Sequence, residues 1–331
     1  MKTKEVIIGL TYGDPAGIGP EVLIKTLKQW AYKFSPLIIG SKGIISKYKN
    51  FKNIKNIFTF AEPQRLPAGN ITLGKPSKVS GLHSYMCLKE AVNLACKKKI
   101  TVLFTGPVSK KSISLSIARF KGQTDEIAKL SGLQPGDVIM LFVSSDLRIS
   151  LFTRHIPLKS VVSVLTKAEL KKHCLLLNKE LKKWFCLKKP KIAVLGLNPH
   201  AGEDGLIGNE EKNIIVPVIQ ELQSIGLNIQ GPFSPDATLA SAGKLYLSGK
   251  KQIFDAYVSI YHDQALPMFK SIAGMNGVNV TLGLPFIRVS VDHGTAFNIA
   301  GKNIADNTSV ISALKLLEEV NGRDHSLLSS D

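Results

Sequence analysis

A chain of 331 residues with 44% hydrophobic content is long enough for one large domain or two of ordinary size. It holds no run of eighteen apolar residues, so no membrane span is expected. The formal net charge of +18 raises nucleic acid as a partner, but the lysines are scattered, arginines number six, and no zinc-finger or RNP-like signature is present; a bias toward small anionic ligands is the stronger consequence. The opening MKTKEVIIGLTYGDP runs from two lysines into a strand-like stretch, without the apolar region and cleavage site of a signal peptide, so a cytoplasmic location is expected.

EVIIGLT (5–11) predicts a strand, and the Gly-rich YGDPAGIGPE after it leads into a helix with Pro20 near its first turn. PLIIG (36–40) is a second strand. A helix over 82–99 precedes a strand in ITVLFTGP (100–107). DVIMLFVS (137–144) and LRISLFT (147–153) are close enough to form an antiparallel hairpin. In the longest helix, 167–189, Leu170, Cys174, Leu177, Leu181 and Trp184 follow the i, i+3, i+4 spacing. KIAVLGL (191–197), DAYVSIY (255–261) and VNVTLGL (278–284) are further buried strands. NTSVISALKLLEEV (307–320) is a helix capped by Asn307 or Thr308, and the tail NGRDHSLLSSD is expected to fray. Cys87, Cys96, Cys174 and Cys186 form no CxxC pair and read as buried free thiols of a reducing compartment. This alternation argues an α/β fold with a largely parallel sheet.

Ligands of such sheets bind beyond the carboxyl ends of the strands. There this chain places YGDPAGIGPE, TGPVSKK, RHIP, NPHAGEDG and HDQALPMFK. Three of these segments carry a histidine: His155, His200 and His262. A lone histidine is more often a satisfied polar residue than a ligand. Three at strand ends make a divalent-metal site a real alternative, because neutral imidazoles leave the ion its charge and open positions for substrate. GDPAGIGPE matches neither the dinucleotide GxGxxG nor a P-loop, and reads equally as a tight turn or a ligand loop. Lys270, Asn279 and Arg288 offer an ammonium, an amide and a guanidinium suited to phosphate or carboxylate, or else they are surface groups of a connection. Arg288, between Ile287 and Val289, is out of place on an ordinary surface. Gly294 and Gly301 bracket a loop with Asp292 and His293.

GDPAGIGPE, TGPVSK, LNPHAGE, YHDQALP and NVTLGLPFIRVSVDHGTAFNIAG run in order from residue 13 to about 301. Together they resemble the signatures of the 4-hydroxythreonine-4-phosphate dehydrogenase family of vitamin B6 biosynthesis. HGTAFNIAGKNIADNTSVISA is also similar to the cofactor loop of isopropylmalate and isocitrate dehydrogenases, which share that fold. The resemblance implies two α/β/α domains. Residues 1–130 with 275–331 would carry the cofactor loop, and 131–274 the metal ligands and dimer contacts. It implies one divalent metal (zinc, magnesium or cobalt) on His155, His200 and His262. Substrate contacts would come from Gln123, Thr124, Lys270, Asn279 and Arg288. NAD or NADP would bind in the interdomain cleft near Asp292, His293, Gly294 and Gly301, and the site would lie at a homodimer interface. The implied reaction oxidises 4-phosphohydroxy-L-threonine to a 3-keto acid, which loses its carboxyl group. Asp263 would orient an imidazole or relay a proton.

Two departures stand out. The family usually has His-Thr in a GHT motif, where this chain reads KGQTDEIA with Gln123. It usually reads ADT where GPFSPDATLA puts Ala237 after Asp236. These leave room for a paralogue acting on another 4-phosphorylated hydroxy acid. Rivals from other classes are a three-histidine metallohydrolase, which would not need the 292–301 loop, and a non-catalytic binding protein, which would not need the histidines.

Overall fold

A computed structural model describes residues 6–48, 51–64, 66–67 and 69–323. The tail beyond 323, expected to fray, lies outside the described residues. Eleven strands occur among them: β1 (Ile7–Thr11), β2 (Ser35–Ile39), β3 (Thr59–Ala61), β4 (Val102–Thr105), β5 (Ile139–Ser144), β6 (Leu147–Leu151), β7 (Ile192–Leu195), β8 (Ile229–Phe233), β9 (Ala256–Ser259), β10 (Val278–Leu282) and β11 (Ile287–Val291). Most pairings are parallel, giving the mixed α/β architecture expected from the alternation. The chain divides into two compact units, one of Met1–Val138 with Val278–Asp331 and one of Ile139–Gly277.

The first unit orders its strands β3-β2-β1-β4-β11-β10, parallel except for the antiparallel β10/β11 pair. β4 and β11 are buried throughout, which their apolar and β-branched residues allow. The helix Lys78–Cys96 packs Leu88, Ala91, Val92 and Ala95 against Leu103 and Val138. It starts four residues before the predicted position, because Ser77 and Ser80 form a reciprocal cap: Ser80 N–H donates to Ser77 Oγ (3.0 Å) and Ser77 N–H to Ser80 Oγ (3.2 Å). Strand β11 was not predicted as a strand. Its run Ile287–Arg288–Val289–Ser290–Val291 has the period-2 alternation of one.

The second unit orders its strands β5-β6-β9-β7-β8. β5 and β6 form the expected antiparallel hairpin, while β6, β9, β7 and β8 run parallel. Its core gathers Phe142, Ile149, Tyr257, Leu266 and Phe269, with Phe142 and Phe269 edge to face at 5.7 Å. The helix Lys167–Phe185 is capped at its start by the Thr166 hydroxyl and stops at Cys186, whose φ of 54° breaks the helix before the predicted 189. HDQALPMFK is helical. His262 opens a helix that runs to Ala273 with Pro267 inside it.

All four cysteines are free, but the expectation that all are buried fails for two. Cys96 ends its helix and is exposed, and Cys186, at the end of the other, is half-buried. Among the described residues, no helix is long and apolar enough to cross a membrane.

Candidate active site

In the second unit the three predicted histidines follow three adjacent parallel strands. His155 comes after β6, His262 after β9 and His200 after β7, so all three leave the same edge of the sheet. Hydrogen bonds tie these strand ends together. Thr153 N–H and Oγ1–H both donate to Ile260 O (3.1 and 2.7 Å). The Gln264 carboxamide bridges the other gap: Oε1 accepts from Ile260 N–H (2.7 Å), and Nε2 donates to Gly196 O (2.6 Å). Neither residue was singled out from the sequence, because such bridging depends on which strands are neighbours.

The His155 and His262 rings lie 5.6 Å apart. The His262 side chain is 35% exposed, and its Nδ1 meets Asp263 Oδ1 at 2.5 Å. A carboxylate on Nδ1 favours the tautomer with its N–H there and leaves the Nε2 lone pair open to a partner. His200 is not drawn into this pair. Among the described residues, no three His, Cys, Asp or Glu side chains form a group that could hold an ion. The donor chemistry still suits a divalent cation: three imidazoles at one sheet edge, one of them oriented by a carboxylate.

The first unit has its own polar centre, on the strands themselves. Thr105, Ser290 and Asn279 are in register across β4, β11 and β10. Arg288 and Thr281 each lie two residues along from this row and so share its face. Arg288 is 2% exposed. Its Nε and Nη2 donate to Thr105 Oγ1 (3.0 and 2.7 Å), and Nη1 donates to Thr281 Oγ1 (3.0 Å). No carboxylate among the described residues balances it, and burial pulls its pKa down to about 9. Beside it in the sheet, Asn279 Oδ1 is buried without a donor. Gln123, first in the helix Gln123–Leu130, donates from Nε2 to Gly106 O (3.1 Å), just past β4, and leaves Oε1 buried without a donor. Thr124 is buried next to it. Acceptors without donors beside an unbalanced cation would suit a ligand that brings both a negative charge and hydrogen-bond donors. Lys270 belongs to the other unit: it is exposed, near the end of the His262–Ala273 helix, roughly 12 Å along the axis from His262.

The loops of the first unit interlock. Asp14 N–H donates to Pro107 O (2.9 Å), Ile18 N–H to Thr295 O (3.0 Å), and Gly74 N–H to Ala16 O (2.8 Å). A Cβ on Gly13, whose φ is +75°, would lie 2.1 Å from Pro107 O, so only glycine fits. GDPAGIGPE is therefore packed against the 292–301 segment by its backbone. Buried Glu21 secures the far side of that segment, accepting from Ala305 N–H (2.8 Å) and Asn303 N–H (3.2 Å). Within the loop, His293 Nδ1 faces Gly294 O (3.0 Å) and its Nε2 is buried without a partner. Asp292 is half-buried, Gly294 has open space where a Cβ would stand, and Gly301 has a φ of +78°. Asp14 was not among the predicted site residues, yet its carboxyl is fully buried and only Oδ1 has a donor, Ala16 N–H at 3.0 Å. Burial raises its pKa.

Residues 32–317 match the family described as pyridoxal phosphate biosynthetic protein PdxA. A 4-hydroxythreonine-4-phosphate dehydrogenase from Sulfurihydrogenibium sp. is 41% identical over 323 residues, covering 94% of this chain and 97% of the relative. The solved structure of 4-hydroxythreonine-4-phosphate dehydrogenase from Klebsiella pneumoniae is 28% identical with a TM-score of 0.80, over 96% of this chain and 99% of that one. A terephthalate 1,2-cis-dihydrodiol dehydrogenase from Burkholderia xenovorans is 25% identical with a TM-score of 0.67, over 96% and 98%. The chain belongs to the 4-hydroxythreonine-4-phosphate dehydrogenase family and is an oxidoreductase. The metallohydrolase and the non-catalytic binding protein are thereby set aside.

Proposed function

We propose that this family member oxidises the 3-hydroxyl of 4-phosphohydroxy-L-threonine with NAD or NADP as hydride acceptor. The 3-keto acid then loses its carboxyl group to give 3-amino-2-oxopropyl phosphate, a step of pyridoxal 5'-phosphate biosynthesis. The observation that carries the substrate class is Arg288. Among the described residues its buried guanidinium is met by the Thr105 and Thr281 hydroxyls and by no carboxylate, and so retains its attraction for a phosphate. Asn279 Oδ1 and Gln123 Oε1 would accept from the substrate's hydroxyl and ammonium groups. Thr124 and Lys270 would complete its contacts.

His155, His200 and His262 would hold one divalent ion (zinc, magnesium or cobalt). Such an ion supplies Lewis acidity, which makes a hydroxyl easier to deprotonate and stabilises negative charge. Asp263 is cast as the orienting group, because its carboxylate already sits on His262 Nδ1. The nicotinamide cofactor would lie against Asp292, His293, Gly294 and Gly301, on a loop whose backbone is fixed from both sides. A homodimer is supported by the exposed apolar side chains of Leu158, Val162 and Leu206, which flank the His155 and His200 segments in sequence. The cytoplasm is the proposed location.

A related 4-phosphorylated hydroxy acid is the second reading. Gln123 favours it, since it offers an acceptor where the family's histidine would offer a titratable nitrogen. A spectrophotometric assay of the metal-loaded protein with 4-phosphohydroxy-L-threonine and each cofactor is the test. NADH or NADPH formation is expected. None with either cofactor, alongside turnover of another 4-phosphorylated hydroxy acid, would replace the first reading by the second.

A further inference from the structure

The segment that carries His200 has an unusual backbone. Five successive residues, His200 to Asp204, have φ values of 50, 53, 82, 44 and 55°. Four of them bear a Cβ, so the turn is held in the left-handed region against its own preference. Such a conformation persists only where the surroundings over-determine it. Here they converge on one carboxylate. Glu211 is 4% exposed. Its Oε1 accepts from Leu197 N–H (2.7 Å) and Asn198 N–H (2.8 Å), and its Oε2 accepts from Asn198 Nδ2 (2.9 Å). These are the residues by which the chain enters the turn. The same carboxylate lies under its middle: a Cβ on Gly202 would stand 2.7 Å from Glu211 Oε2. The turn closes on itself through Ala201 N–H to Asn198 O (3.2 Å) and Ile207 N–H to Gly202 O (3.1 Å).

We propose that Glu211 is a positioning residue: by gripping residues 197–198 and filling the space beneath Gly202, it holds the left-handed turn and so fixes where His200 points. Metal affinity then depends on a side chain that does not touch the ion. The inference rests on His200 being one of the ligands. Burial of the carboxylate is balanced by three N–H donors, so neutral substitutes of similar size can occupy the space. Glutamine keeps one acceptor oxygen for the two backbone N–H groups, but turns an amide donor toward Asn198 Nδ2. Alanine at Gly202 leaves the carboxylate intact and crowds it from the other side.

The test is Co²⁺ binding to the metal-free, full-length protein, followed by visible absorption, in wild type, H200A, E211Q and G202A. Thermal melting of each metal-free form runs alongside. Loss of a supporting residue behind a ligand typically weakens metal binding about 10–100-fold. E211Q is expected to bind Co²⁺ at least about tenfold more weakly, with an altered spectrum. A purely structural role would lower the melting temperature and leave affinity and spectrum unchanged; that result overturns the inference. If E211Q does not fold, G202A is judged by the same criterion. H200A separates the two levels. Full Co²⁺ affinity in H200A removes the ligand assignment and the inference with it. Lost affinity in H200A beside wild-type affinity in E211Q or G202A removes the inference alone.

Discussion

The two units present polar residues in different ways. In the first, the candidate substrate contacts sit on the strands: Arg288 and Asn279 belong to β11 and β10, and Arg288 donates to hydroxyls of the same sheet face. In the second, the candidate metal ligands lie past the strands, on turns and a helix start held by backbone hydrogen bonds and by Gln264 and Glu211. A group within a sheet is desolvated before any ligand arrives, which strengthens its field and costs the fold stability. A group on a turn remains hydrated and costs the fold little, but its direction needs support from elsewhere. Function and stability should therefore be opposed in the first unit and nearly independent in the second.

The largest effect tests the second half of that contrast. His262→Ala or His155→Ala should lower turnover by at least about 10³, the scale of several kcal/mol of Lewis-acid stabilisation. The melting temperature of the metal-free protein should stay within a few degrees, because both rings are partly or wholly exposed. Elemental analysis should find the ion gone. Full occupancy in either variant would strike that histidine from the ligand set.

Arg288→Met tests the first half. Losing charge-assisted hydrogen bonds of about 1.5–3 kcal/mol each should cut kcat/KM for a phosphorylated substrate by about 10² or more. An unphosphorylated analogue should lose much less. The apo protein should melt at the same temperature or higher, since an apolar side chain replaces a buried cation that no carboxylate among the described residues balances. A melt lowered by many degrees would make Arg288 a structural residue and dissolve the contrast.

What was legible in the sequence follows the same division. The strand-end histidines could be read because each stands beside an apolar run that announces its strand. That β6, β9 and β7 are neighbours, which brings those ends to one edge, is a matter of chain topology and has no local signal. Arg288 looked misplaced between Ile287 and Val289, but its strand was missed: the expected strand ended at 284, and Arg288 beyond it was left open between a ligand contact and a group of a connection. The Thr105 and Thr281 hydroxyls that hold it come from β4 and β10, one of them 183 residues away in the chain. Lys270 is grouped with Asn279 and Arg288 because nineteen residues contain all three; the structure puts it on a helix of the other unit. Glu211 lies eleven residues from His200, a separation that carries no pattern.

A smaller effect compares the units through their buried histidines. His83 in the first packs against Tyr12 and Cys87, and burial lowers its pKa from 6.5 to about 4. His173 in the second bonds Ser150 Oγ at 2.7 Å, with Phe152 at its edge, and burial followed by the charge of Arg154 lowers it to about 3. Both fold neutral and gain protons on unfolding, so the unfolded state binds more protons below pH 6.5. Their stabilisation is complete above that pH and is lost as pH falls toward about 4 and about 3. Melting temperatures between pH 7 and 4.5 should decline. His173→Gln, which keeps a partner for Ser150 but cannot titrate, and His83→Gln should each flatten the decline by a similar amount, since both folded-state values lie below this window. Equal slopes in all three proteins would exclude both histidines as its source.

The smallest expected effect is at Gln123, where the chain departs from its family. The carboxamide is already committed on one side, since Nε2 donates to Gly106 O at 3.1 Å. What it offers a ligand is the acceptor Oε1. A neutral histidine can divide its two nitrogens the same way, one N–H to the carbonyl and one lone pair to the ligand. The two residues are thus interchangeable as positioning groups and differ in one respect: histidine can carry a proton near neutral pH. If the position only orients substrate, Gln123→His should leave kcat within a few-fold. If it must move a proton, histidine should raise kcat by about 10², the lower range for general acid–base catalysis. Orientation is the expected role, because a carboxamide keeps the donor and the acceptor but cannot titrate. A pH–rate profile of both forms decides. A new ionisation near pH 6.5, roughly the unperturbed histidine value, together with a large gain in rate, would show that the glutamine is a handicap rather than a substitute.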